Sequence, residues 1–174
     1  MGELEFERTF LAGQLPPEMR SVMPKNIVDT YFPRNNWHSL LRLRKSGSKY
    51  LISRKTPIDE NDVSAVIEDS ITITKDEFES LMQAGGKRLE KDRYNVVVSG
   101  CPTEAEIDVF KADLTGLVLV QFKFRTSREK DNFIPPSFVL ADVTQEEFIA
   151  GGMLAGKKYA DIERDLREFG YKKL

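Results

Sequence analysis

Apolar and polar residues alternate with a period of two along much of this chain, the spacing of a β-strand, whose successive side chains point to opposite faces. The opening run from Glu3 to Leu11 sets the pattern: Glu3, Glu5 and Glu7 share one face, while Leu4, Phe6 and Phe10 supply the other. Further strands are expected at 27–32, 40–44, 49–55, 66–74, 89–98, 104–110 and 117–124, with Lys45-Ser46-Gly47-Ser48 turning a hairpin between 40–44 and 49–55. Helical spacing is rarer. Thr74-Lys75-Asp76-Glu77 fits a capping box, followed by the apolar stripe Phe78, Leu81 and Met82 and a stop at Gly85-Gly86. Thr144-Gln145-Glu146-Glu147 fits a second box, opening a helix through Phe148 and Ile149 that ends or breaks at Gly151-Gly152. Tyr159, Ile162, Leu166 and Phe169 mark an amphipathic terminal helix stopped by Gly170. Thr103-Glu104-Ala105-Glu106 matches the same box, but its alternation reads as strand. Between these elements, the prolines of 13–24 suit a loop with one short helix, and Asp59, Glu60 and Asp62 mark 57–65 as a solvated loop. The charged run 125–131 reads as a turn or short helix, and Pro135-Pro136 begins a loop.

Three carboxylates on one face cannot form an ordinary core, because like charges one pleat apart repel unless water, a metal ion or basic partners face them. The rest of the chain supplies such partners. Arg42 and Arg44 share a face, as do Ser53 and Lys55, and Lys91 and Arg93; Glu104, Glu106 and Asp108 repeat the acidic pattern, and Gln121 and Lys123 lie one pleat apart. Charges on one face and Leu, Val, Ile or Phe on the other invert the usual globular plan. A closed barrel with a polar passage inside and helices over its apolar outside resolves the inversion. The fold expected is α+β, mainly β: a closed eight-stranded antiparallel barrel with a charged interior and peripheral helices. Carboxylates bind Mg²⁺ or Mn²⁺ through oxygen, and guanidinium and ammonium groups hold a chain of phosphates that the metal also bridges.

Composition narrows this reading. A chain of 174 residues suits a single domain over 1–174, and 26 bases against 28 acids leave a net charge of −2, with no global bias toward nucleic acid or an acidic membrane. Bases that alternate with acids on one lining, with no basic stripe interleaved by aromatics, argue against nucleic-acid binding. The single Cys101 allows no intrachain disulfide and lies in a turn with no thiolate-stabilising neighbours, while the lone His38 excludes the His/Cys zinc frameworks and has no visible triad partner. Charges begin at Glu3 and no apolar run has the length of a membrane span, so a cytoplasmic protein without membrane attachment is expected. Lys157 and Lys158 could close one end of the passage or simply begin the last helix in solvent.

In order and spacing these motifs resemble the CYTH superfamily, the triphosphate tunnel metalloenzymes, over nearly the whole chain. That family's opening E-x-E-x-K strand resembles Glu5-Phe6-Glu7-Arg8-Thr9, its arginine strand 41–44, and its following L-T-x-K strand Ile52-Ser53-Arg54-Lys55. Its K-x-R pair matches Lys91 and Arg93, its E-x-D pair Glu106 and Asp108, and its G-L-V-L segment 116–119. The resemblance implies divalent-metal-dependent hydrolysis of inorganic or organic triphosphate, or cyclisation of ATP. Glu5 and Glu7 would be the catalytic carboxylates and would hold Mg²⁺ or Mn²⁺ with help from Glu106 and Asp108; Arg42, Arg44, Lys55, Lys91, Arg93 and Lys123 would bind substrate. A homodimer is one assembly open to such a domain.

Three positions depart from the family pattern. Its first-strand lysine is Thr9 here, and its late E-x-E pair is Gln121 and Lys123. A neutral carbonyl and a cation weaken metal binding. Lys123 is expected to restore, from the opposite wall, part of the positive charge lost at Thr9, keeping phosphate binding while a second metal site is lost. The alternative is a tunnel that holds a triphosphate or nucleotide without turning it over. Adenylate cyclisation needs a base and an adenine pocket, and neither is identifiable.

Overall fold

In the computed structural model, which describes residues 2–174, nine strands run in chain order: β1 Glu3–Ala12, β2 Lys25–Phe32, β3 Leu41–Ser46, β4 Lys49–Asp59, β5 Asp62–Ile73, β6 Lys87–Val96, β7 Ala105–Phe110, β8 Val118–Phe124 and β9 Val139–Asp142. Four helices accompany them: α1 Lys75–Met82, α2 Ser127–Asp131, α3 Gly151–Leu154 and α4 Tyr159–Glu168. All pairings are antiparallel, in the order β5-β4-β3-β2-β6-β7-β8-β1, and β1 returns to β5 to close an eight-stranded barrel. Along that closing edge β1 changes partner. Glu3 to Phe6 pair with β5, and Phe10 to Ala12 pair with β9, which lies outside the barrel. No helix among the described residues is long and apolar enough to cross a membrane.

Each of the eight expected strands is present, and the differences lie where side chains override pattern. The expected loop at 57–65 is a tight hairpin, with only Glu60 and Asn61 between β4 and β5. Its acids shape the turn: Asp59 accepts from the Asn61 N–H at 2.9 Å, and Asp62 from the Ser64 N–H at 2.9 Å, the local bonding that suits Asp to turns. Thr74 caps α1 as expected, accepting from the Glu77 N–H while the Glu77 carboxylate accepts from the Thr74 N–H. The second capping box does not form. Thr144 Oγ1 instead accepts from the Thr9 N–H at 3.0 Å and donates to Asp142, so residues 147–149 make only a 3-10 turn. The glycine pair then begins α3 instead of ending a helix. A Cβ at Gly151 would come within 2.1 Å of Tyr31 Oη, and one at Gly152 within 2.0 Å of the Ser39 carbonyl oxygen.

Two apolar clusters flank the polar interior. On the outside of β1, β7 and β8, Phe10, Ile107, Val120 and Phe122 pack against Met19, Phe133 and Phe138. Phe133 stacks 4.6 Å from Phe122 and 4.9 Å from Phe124. This outer face is therefore covered by a 3-10 turn and the segment that leads into β9, not by the peripheral helices expected there. The C-terminal helices serve elsewhere. Leu11, Tyr31, Leu89, Phe110 and Leu119, inside one end of the barrel, form a single core with Val143, Ile149 and Leu154 and with Ile162 and Leu166 of α4. Burial of each such side chain contributes roughly 1.5–3 kcal/mol. One end of the barrel interior is thus apolar and packed against the C-terminal segment, and the charged lining begins one pleat further in.

Candidate functional site

Strand alternation and register set the lining. Thr9 faces Gln121, Glu7 faces Lys123, Gln121 faces Glu106, Asp108 faces Arg93, Arg44 faces Asp29 and Lys55 faces Glu68. Since direct cross-strand partners share a face, these side chains, with Asp29 buried behind Arg44, gather around one cavity of about 680 Å³, within the usual range for small-molecule sites.

Ion pairing inside is dense. Arg93 meets Asp108 with two parallel bonds, 2.7 Å from Nε and 2.7 Å from Nη2, and also reaches Glu106 and Gln121. Lys91 adds a 2.5 Å bond to the same Asp108, whose carboxylate is 1% exposed. Arg44 grips Asp29 in the same two-pronged way at 2.6 and 2.7 Å. Arg42 donates to Glu68 at 2.8 Å and to Ser53. Lys55 lies 2.6 Å from Glu7, 2.8 Å from Glu5 and 3.8 Å from Glu68, and Lys123 lies 2.9 Å from Glu5. The interior thus balances Glu5, Glu7, Asp29, Glu68, Glu106 and Asp108 against Arg42, Arg44, Lys55, Lys91, Arg93 and Lys123.

Charge states follow from this packing. Burial would raise the Asp108 carboxyl, but Lys91 and Arg93 outweigh it and hold it far below the ordinary carboxylate range. Asp29 is lowered in the same sense against Arg44. Burial also opposes ionisation of Glu5, yet Lys55 and Lys123 bring it down to about 2. Burial would lower Lys55, but Glu7 and Glu5 keep it above the ordinary lysine value. Lys91 goes the other way: burial, reinforced by Arg93 and Arg44, outweighs the pull of Asp108 and brings its ammonium down to about 8.

Every expected substrate and metal residue except Glu5 lines this cavity, and Glu5 adjoins it through Lys55. Two carboxylates that the sequence reading did not include join them, Glu68 in the lining and Asp29 behind Arg44. Asp29 is a single acid in an apolar strand, and Glu68 is flanked by Asp69, so neither repeats with a period that would mark a charged face. Their signal is register, since each sits directly opposite a base. Two expected lining residues, Glu3 and Glu104, are exposed at the strand ends. Lys123 does not face Thr9 from an opposite wall: it is on β8, the neighbour of β1. Gln121 is the residue across from Thr9, with Nε2 3.4 Å from Oγ1. His38 meets only Glu147, at 3.5 Å, and Lys157 lies over the Trp37 ring instead of closing the passage. Burial pushes the Cys101 thiol up, consistent with an unreactive side chain.

Among the described residues no three of His, Cys, Asp and Glu come together to hold a metal. Both oxygens of Asp108 are engaged by Arg93 and Lys91, and Glu106 is engaged by Arg93. Glu5 and Glu7 differ, because both converge on the Lys55 ammonium at 2.8 and 2.6 Å. A pair of carboxylates around one cation fits Mg²⁺ or Mn²⁺ when phosphate oxygens and water complete the shell.

Comparison with known proteins places this geometry. No family model matches the chain. An inorganic triphosphatase of Nitrosomonas europaea is 32% identical over 147 residues, spanning 82% of this chain and 91% of that protein. The crystal structure of an inorganic triphosphatase superposes with a TM-score of 0.63 at 28% identity, covering 88% of this chain and 95% of the other. A Bacillus halodurans protein at 14% identity, with a TM-score of 0.54 over 100% of this chain and 94% of its own, shares the fold. With a relative at this identity over most of both chains, and a closed barrel that superposes on that of an inorganic triphosphatase, the chain belongs to the CYTH superfamily of triphosphate tunnel proteins.

Proposed function

We propose that this protein hydrolyses a triphosphate inside its barrel. The observation that carries the reading is the convergence of Arg42, Arg44, Lys55, Lys91 and Arg93 on one cavity, each held in place by a carboxylate. The relative's activity as an inorganic triphosphatase supports it. A triphosphate chain offers these cations charged oxygens in place of the carboxylates, and guanidinium groups bind phosphate oxygens in paired contacts. Water attacks the terminal phosphorus, the bridging P–O bond breaks, and the cations stabilise the charge that spreads onto the leaving diphosphate. Asp29, Asp108 and Glu106 keep Arg44, Arg93 and Lys91 aimed inward. Mg²⁺ or Mn²⁺ fits Glu5 and Glu7 and would neutralise phosphate charge and activate the attacking water; for Glu106 and Asp108 to assist it, their bonds to Arg93 and Lys91 must open.

A second reading, a barrel that holds a triphosphate without turning it over, is favoured by one observation: Lys123 places its ammonium on Glu5, a carboxylate of the reacting centre. Calorimetric titration with tripolyphosphate tests the clamp common to both readings. Arg42→Ala is expected to weaken binding at least tenfold, and unchanged binding would remove the cavity from consideration as the phosphate site.

A further inference from the structure

We infer that Lys123 is an internal counter-ion that makes divalent-metal binding conditional on triphosphate, so that the metal joins Glu5 and Glu7 only together with the phosphates. The inference rests on the triphosphate reading above and assigns a control to that same site. Its basis is the arrangement at the β1–β8 seam. Glu7 and Lys123 are direct cross-strand partners, and the Lys123 ammonium leans along the strand to Glu5 Oε1 at 2.9 Å. The other Glu5 oxygen is 2.8 Å from Lys55, which also holds Glu7 at 2.6 Å. Two ammonium groups therefore occupy the one carboxylate pair that fits a cation. The next rung inward, Thr9 with Gln121, carries no charge, so β8 contributes no carboxylate there to offset Lys123.

Exposure separates Lys123 from the other interior cations. Its side chain is 42% exposed, against 28% for Lys55 and 10–14% for Arg42, Arg44, Lys91 and Arg93. Arg44, Lys91 and Arg93 are bound to buried or nearly buried acids; Lys123 holds a single bond at the open end of its strand and can turn to a phosphate oxygen. A long side chain with one partner loses little in exchanging a carboxylate for a phosphate. Once it turns, the Glu5 carboxylate is no longer neutralised by Lys123, and a divalent ion bridging carboxylate and phosphate becomes favourable. Linkage requires the converse: bound metal strengthens triphosphate binding by the same factor.

The test uses Mn²⁺ and the intact protein, following free Mn²⁺ by its paramagnetic resonance signal with no phosphate present. Wild type is expected to show no saturable binding below millimolar Mn²⁺, and Lys123→Gln to bind Mn²⁺ at least tenfold more tightly. In metal-free buffer the same variant is expected to bind tripolyphosphate several-fold more weakly than wild type, because it has lost a phosphate-facing cation. Lys123→Met repeats the comparison should the glutamine variant fail to fold. Micromolar Mn²⁺ binding by wild type without phosphate, or equal Mn²⁺ binding by wild type and variants, would overturn the inference. Loss of the triphosphatase reading would show separately, as absence of phosphate release by wild type, and the Mn²⁺ comparison would still report on Lys123.

Discussion

Lys91 shows how one side chain links packing to function. Its ammonium is buried, shares Asp108 with Arg93, and loses its proton near pH 8. Triphosphate binding is therefore expected to weaken as pH rises through about 8, since one cation of the clamp is lost there while Arg42, Arg44 and Arg93 stay charged. The effect on stability has the opposite sign. A lysine lowered from 10.5 to about 8 by folding costs stability while it is charged, so its contribution becomes more favourable between those two values as pH rises. Calorimetry of tripolyphosphate from pH 6.5 to about 9.5 checks the first expectation; an affinity independent of pH would show that Lys91 does not face the phosphates. At this scale the sequence was a good guide where charges repeated within a strand, though not at the strand ends, where Glu3 and Glu104 are exposed. Period two placed Glu5 with Glu7, Arg42 with Arg44 and Lys91 with Arg93 on common faces. Asp29 and Glu68 escaped because an acid outside a repeat declares its face only when the opposing strand is known.

At the scale of elements, covering the barrel falls to short segments. Phe133 precedes β9 and sits among Phe10, Phe122 and Phe124, filling the space an outer helix was expected to fill. Phe133→Ala is expected to cost about 3–5 kcal/mol in chemical denaturation, the usual range for deleting a buried ring. A loss below ~1 kcal/mol would mean that this face is covered by something else. The two capping boxes show why local motifs have limits. Thr74 and Thr144 open the same four-residue pattern, but only Thr74 has its hydroxyl free for its own helix. Thr144 lies beside the closing edge of β1 and takes the Thr9 N–H, a long-range partner that no local pattern contains. For the same reason Gly151-Gly152 read as a terminator. The pair is where the chain passes close over Tyr31 and Ser39, and that contact exists only in the folded barrel.

For the whole molecule, closure reconciles the inverted pattern seen at the outset: a barrel turns the charged faces inward and leaves apolar faces for a thin cover. The eight strands and their charged interior were legible because alternation persists through nearly all of them. The division of the interior into a charged region and an apolar end was not, since Leu11, Leu89, Phe110 and Leu119 belong to the same inward faces as the charges and find their partners in the C-terminal segment. The ion-paired network of the interior holds equal numbers of acids and bases, so a triphosphate meets no net positive charge there and must be compensated. A metal ion, or cations released from their carboxylates, can do so. The most direct test of the central claim is phosphate release from tripolyphosphate, ATP and thiamine triphosphate with Mg²⁺ and with Mn²⁺, compared between wild type and a variant carrying Glu5→Gln and Glu7→Gln. Metal-dependent release by wild type that is abolished in the variant is the expected result. No release from any of the three, with saturable tripolyphosphate binding retained, would contradict hydrolysis and leave a barrel that clamps phosphate without cleaving it.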